Sequence, residues 1–175
     1  MGAVFKRELQ NYFYTPLGYV FMGVFLLLSG IFFLSGNLLQ MNANLGVLFD
    51  SMSFLFMLLM PLLTMRLLSE EKRARTDQLL LTSPLPISAI VVGKYLAALT
   101  VLALTMLLTA PCVAILFAYG APHAPMIASG YLGFFLLGAS YVAVGILMSA
   151  VTESQLTAAV ATFGVNLMIQ FVESV

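Results

Sequence analysis

Long apolar segments separated by short polar linkers dominate the sequence. Each segment is close to or longer than the roughly 20 residues that a helix needs to cross a bilayer. The five segments are residues 17–36, 46–68, 88–118, 126–150 and 155–175. Their apolar residues run on without the alternation typical of membrane β-barrel strands. The pattern therefore predicts an all-α polytopic membrane protein, with one membrane domain over residues 1–175.

The first residues, 3–14, have the pattern of an amphipathic helix that lies flat in the membrane interface. Positions i, i+4, i+7 and i+8 of this stretch are apolar, and the remaining face is polar. The apolar positions are Phe5, Leu9, Tyr12 and Phe13, and the polar face includes Lys6, Arg7, Gln10 and Asn11. Pro16 then ends this helix before the first crossing. The helix is either a simple membrane anchor or a docking element for a cytoplasmic partner.

Composition points the same way, because 62% of the 175 residues are apolar and only 8% are charged. A soluble domain carries about 25% charged residues. Lipid must therefore be the solvent for most of the surface, which excludes a soluble enzyme. Seven Lys and Arg balance seven Asp and Glu, so nothing indicates nucleic acid as a partner. The single cysteine, Cys112, lies in an apolar run and is interpreted as a small hydrophobic residue.

The seven cations indicate the orientation. Lys6 and Arg7 precede the first segment, the other five fall within residues 66–94, and the linkers 37–45 and 119–125 contain none. The positive-inside rule places the N-terminus and residues 66–94 in the cytoplasm. Five crossings would leave the end of the chain outside, in an apolar stretch without a helix stop signal. We therefore expect the natural protein to continue with at least one further helix.

Two segments contain features that should modify the helices. Residues 88–118 would span about 46 Å as a helix, against about 30 Å of hydrocarbon. The first turns, with Lys94, should therefore project into the headgroup zone or the cytosol. Pro61 and Pro111 should kink their helices.

The only sizeable hydrophilic stretch is residues 69–87. Thr76 can cap a short helix whose apolar part is Leu79, Leu80 and Leu81, and Pro84 would end it. The stretch is either a solvated loop or a helix whose leucines dock on a partner or on the membrane. It also holds the E-E-x-x-x-R pattern of intramembrane proteases. That chemistry needs several histidine ligands, and the only histidine is His123 in an outer linker.

Two membrane segments carry polar or small residues at helical spacing. In segment 126–150, Gly138, Gly145 and Ser149 share a face and would permit close helix packing. In segment 155–175 a polar stripe recurs every three or four residues. It consists of Thr162, Asn166, Gln170 and Glu173. Such groups avoid lipid, so the stripe should face other helices, either as interhelical hydrogen bonds or as a substrate path.

The sequence contains no phosphate-binding glycine motif, no Cys/His cluster and no catalytic triad pattern. Energy for any transport would have to come from another chain. Three other classes stay open at this point. They are a non-transporting membrane scaffold or assembly protein, a membrane-embedded enzyme and a secondary transporter.

Three stretches resemble the permease subunits of ABC type-2 exporters, especially the gliding-motility-associated type. They are residues 5–20 (FKRELQNYFYTPLGYV), residues 65–84 (MRLLSEEKRARTDQLLLTSP) and residues 152–158 (TESQLTA). The family has Gly-Thr-x-Glu where this chain reads Arg75-Thr76-Asp77-Gln78, and six membrane helices where this chain shows five.

The resemblance implies a non-enzymatic membrane subunit of the bacterial inner membrane. It would pair with a second permease chain, like or unlike, and with a cytoplasmic ATP-binding subunit that holds the ATP and magnesium. Residues 69–87 would be the coupling region, beside the interfacial helix from Lys6 to Phe13. The residues expected to contact the ATPase are Glu70, Glu71, Thr76, Gln78, Leu79, Leu80 and Pro84.

Overall fold

The computed structural model describes residues 2–40, 46–69, 72, 86–119 and 124–173. All regular structure within these residues is helical, which confirms the predicted all-α class. A π-helical turn, Leu34–Leu38, extends the second helix. The α-helices are α1 Gly2–Tyr14, α2 Pro16–Phe33, α3 Gly46–Thr64, α4 Ile87–Leu107, α5 Ala110–Tyr119, α6 Ala124–Val151 and α7 Gln155–Glu173.

Four stretches of the described residues are long and apolar enough to cross a membrane. They are Pro16–Leu38, Ser88–Ala118, Ala124–Val151 and Gln155–Val172. A fifth apolar helix, Leu48–Thr64, is shorter. Large apolar side chains such as Leu27, Leu132 and Met168 are exposed on the outer faces of α2, α6 and α7. A lipid environment would accommodate these faces, because hydrocarbon solvates apolar side chains as well as a protein core does.

The prediction that the second segment is helical to residue 68 is wrong, because α3 ends at Thr64. Pro61 lies in its last turn, and proline has no N–H to donate to the carbonyl four residues earlier. The chain continues through turns, in which the Leu67 amide donates to the Thr64 carbonyl at 3.2 Å.

Near Pro111, where a kink is predicted, the helix is interrupted, since α4 and α5 are separated by a turn at residues 108 and 109. Proline at 111 cannot donate to the carbonyl of Leu107, and its ring clashes with that carbonyl. The Thr109 hydroxyl lies 2.6 Å from the Met106 carbonyl and 2.7 Å from the Tyr131 hydroxyl. The turn is therefore joined to α6 by the side-chain hydrogen bond between Thr109 and Tyr131.

Helix α3 forms the centre of the bundle and packs against α2, α6 and α7. Phe56 in α3 stacks on Phe134 of α6 with ring centroids 4.3 Å apart. The predicted small-residue face of α6 is buried, as expected for close packing. A Cβ atom added to Gly138 would lie 2.6 Å from Leu102 and 2.7 Å from Phe56. A side chain at this position would force Leu102 or Phe56 to shift, so glycine favours the close approach of α6 to α3 and α4.

Helix α1 packs across α4 and α2. At the closest approach, a Cβ added to Gly93 of α4 would lie 3.1 Å from a Val4 methyl group. The predicted division of α1 into two faces is confirmed: Tyr12 is buried, whereas Lys6 and Arg7 are exposed. The apolar face therefore rests on other helices of this chain.

Candidate functional site

The residues predicted to contact an ATPase all fall outside the described part of the chain. These are Glu70, Glu71, Thr76, Gln78, Leu79, Leu80 and Pro84. The structure describes the backbone up to Ser69, then Lys72, and resumes at Pro86. The structure therefore shows which side chains bind the backbone just before residue 70.

Ser149, near the end of α6, binds the backbone that leads into the hydrophilic stretch of residues 69–87. Its hydroxyl oxygen accepts hydrogen bonds from the amides of Leu68 and Ser69, each at 3.0 Å. The same hydroxyl lies 3.3 Å from the Met65 carbonyl. A single buried side chain thus replaces helical hydrogen bonds that are missing after α3 ends. The sequence had indicated Ser149 only as a small residue.

Tyr12 of α1 holds the last turn of α3. Its hydroxyl donates to the carbonyl of Leu63 at 2.8 Å. Burial, together with the nearby Glu8 carboxylate, raises the pKa of Tyr12 well above its ordinary value. A phenol is protonated at physiological pH even without this shift, so Tyr12 is a hydrogen-bond donor there.

The side chain of Lys94 does not reach solvent, because it is enclosed between α1 and the end of α3. Its side chain is 2% exposed and forms a 3.1 Å ion pair with Glu8, whose side chain is 9% exposed. The ammonium group also donates to the carbonyl of Leu67 at 2.7 Å. This burial is not evident from α4 alone, because α1 covers this side of α4. The position of the first turns of α4 in the headgroup zone or the cytosol stays a prediction.

These four side chains, Glu8, Tyr12, Lys94 and Ser149, are called the anchor cluster below. They come from α1, α4 and α6, and all lie around the backbone of residues 63–69. The four side chains supply hydrogen-bond donors and acceptors, and two of them, Glu8 and Lys94, form an ion pair. The arrangement suits the fixing of a backbone segment.

The other residues predicted on α1 lie around this cluster. Phe5, Leu9 and Phe13 are half-buried and pack against the core. Lys6 and Arg7 are on the opposite, exposed face. The cations of α1, α4 and the end of α3 consequently lie at one end of the bundle.

The predicted inward orientation of the polar stripe on α7 is confirmed for its first two members, since Thr162 and Asn166 are both fully buried. The Thr162 hydroxyl donates to the Ala158 carbonyl of its own helix at 2.7 Å. Gln170 accepts a 2.7 Å hydrogen bond from the Tyr141 hydroxyl of α6. The side chain of Glu173 lies outside the described part of the structure.

Asn166 differs from its neighbours in the stripe. Neither atom of its side-chain amide has a hydrogen-bond partner among the residues that the structure describes. A buried amide without a partner is costly, so this position stands out from ordinary packing.

A model for a family described as "ABC-2 family transporter protein" matches residues 5–175. No curated protein and no solved structure matches the chain. The family match covers every helix described above, including nearly all of α1.

Proposed function

The chain belongs to the ABC-2 transporter family, and we propose that it is the permease subunit of an exporter driven by a separate ATP-binding subunit. The observation that carries the proposal is the family match over residues 5–175, on helices long and apolar enough to cross a membrane. A membrane location and a role in transport follow from the family. The partner, its binding site and the direction of transport are proposed.

The proposed contact with the ATPase is the hydrophilic stretch of residues 69–87. Its start is attached to three helices through the anchor cluster, so a force on it would reach the bundle. The clustering of cations at this end supports a cytoplasmic N-terminus and a cytoplasmic coupling region. The ATP and its magnesium ion would be bound by the partner.

We further propose that the protein works as a dimer of permease chains in the inner membrane of a bacterium. The gliding-motility-associated type is the subtype that residues 5–20 most resemble. Part of the substrate path would include the stripe on α7, where Asn166 is buried without a partner among the described residues.

Replacement of Leu79 and Leu80 by Asp tests the ATPase contact. If these leucines dock into the partner, the double variant places unpaired charge in the interface, which costs about 3–5 kcal/mol. Co-purification with the ATPase should therefore be lost while the variant stays in the membrane fraction. Leu39→Asp is the control, because Leu39 is exposed in the linker predicted to be external. Undiminished co-purification and ATP turnover in the double variant would reject the docking role.

A further inference from the structure

The ion pair between Glu8 and Lys94 joins parts of the chain that are 86 positions apart. Glu8 lies on α1, Lys94 near the start of α4, and Leu67, the third participant, follows α3. Because the Lys94 ammonium also donates to the Leu67 carbonyl at 2.7 Å, one side chain connects three elements. Leu67 is two positions before the last continuous residue described ahead of the coupling region.

Such a pair is a poor way to gain stability alone. Removing two charges from water is costly, and well-packed apolar residues in the same place are often as stable or more so. The reason for this buried ion pair is therefore to be found in the backbone segment that Lys94 binds. Its ammonium donates a hydrogen bond to the backbone carbonyl of Leu67, which apolar side chains could not do.

Helix α1 is firmly placed to support Lys94. Gly93 allows α4 to approach Val4 closely, and the Tyr12 hydroxyl binds the Leu63 carbonyl. Glu8 lies between these two contacts along α1. A shift of α1 relative to α4 would therefore break the ion pair and disturb the end of α3 together.

We propose that Lys94 is a positioning residue that makes α1, α4 and the entry to the coupling region move as one unit. An effect of this unit on ATP turnover rests on the proposed function. The joint movement of α1, α4 and the backbone at Leu67 does not depend on it. Glu8 orients the ammonium group, and the bond to Leu67 transmits the force. A displacement of the coupling region then moves α1 and α4 with it.

The test separates the bond to Leu67 from folding. The double variant Glu8→Leu/Lys94→Met fills the same space with apolar side chains, so folding should be retained. It can no longer bind the Leu67 carbonyl. Lys94→Arg keeps a donor and a positive charge beside Glu8 and serves as the conservative variant. Thr105→Val is the matched control on α4, because this buried hydroxyl donates to Val101 of its own helix.

Spin labels at Gln10 and Lys72, in a Cys112→Ser background, measure the connection on the permease alone in nanodiscs. Gln10 is exposed on α1, and the Lys72 amide binds the Leu68 carbonyl just beyond the anchor cluster. The parent, Lys94→Arg and Thr105→Val proteins should give one narrow distance distribution, and the double variant a broader one. A distribution of equal width in a folded double variant overturns the proposal.

The complex with the ATPase provides the second readout. The double variant should still co-purify with the ATPase, but permease-stimulated ATP turnover should fall about tenfold, as expected for loss of one hydrogen bond to a charged group. Lys94→Arg should retain most of the turnover. Full stimulation in the double variant refutes the positioning role. If the parent permease fails to bind the ATPase, the proposed function is wrong, and the distance measurement still decides the mechanical connection.

Discussion

The contact between α3 and α6 can be tested by adding one methyl group at Gly145. A Cβ atom at this position would lie 2.6 Å from the Cβ and 2.9 Å from the methyl group of Thr64, and it would also overlap the Thr64 hydroxyl. The Thr64 Cβ is fixed to the backbone and cannot rotate away. Gly145→Ala must therefore push α6 and α3 apart. Gly133→Ala is the control on the same helix, because nothing lies within 4 Å of a Cβ there.

The expected size of the effect follows from two opposing contributions. Overpacking a tight interface costs about 1–3 kcal/mol, and a clash with a backbone-fixed atom belongs at the upper end. Alanine gains about 1 kcal/mol over glycine within a helix. Gly145→Ala should therefore lose about 2 kcal/mol and Gly133→Ala gain up to about 1 kcal/mol. The difference of about 3 kcal/mol corresponds to roughly 6–12 °C in Tm.

Size-exclusion chromatography after heating in detergent measures this difference, since the chain has no tryptophan to report unfolding by fluorescence. Thr64→Gly removes the opposing side chain, so the double variant Thr64→Gly/Gly145→Ala should be more stable than Gly145→Ala. A Tm for Gly145→Ala at or above that of Gly133→Ala would refute the close contact of α3 and α6. Failure of the double variant to recover stability would refute Thr64 as the opposing group.

Two further predictions concern Ser149 and the orientation of the chain in the membrane. Ser149→Ala leaves the buried Ser69 amide and the partly buried Leu68 amide without this acceptor, and it should lower the free energy of unfolding by about 1–3 kcal/mol, measured by heating as above. Ser140→Ala should have little effect, because that exposed hydroxyl bonds only within α6, and equal Tm values would contradict the capping role of Ser149. Single cysteines at Asn42 or Ala74, in a Cys112→Ser background, should react with an impermeant thiol reagent on intact cells only at position 42. Labelling at 74 and not at 42 would reverse the topology.

The helices could be predicted because a lipid solvent leaves few alternatives. A long apolar segment must satisfy its backbone internally, so apolar length alone indicates a helix. Helix spacing was likewise enough to place Thr162 and Asn166 on an inward face. The end of α3 was harder, because residues 65–68 are apolar apart from Arg66 and continue the hydropathy pattern. Tertiary hydrogen bonds from Tyr12 and Ser149 stabilise the non-helical turns there, and hydropathy carries no information about such bonds.

The pairing of Glu8 with Lys94 shows where single-helix reasoning fails, and also which signal was present. Glu8 stands three residues after Phe5 and four before Tyr12, so its carboxylate belongs to the apolar face of α1. Lys94 is the lone cation among the apolar residues of α4. A charge on an apolar face needs either water or a partner, and a long lysine in a membrane helix is ordinarily assigned to water. Two such charges of opposite sign on neighbouring helices satisfy each other more directly. Treating α1 as a cover for α4, rather than as a separate surface helix, would have placed them together.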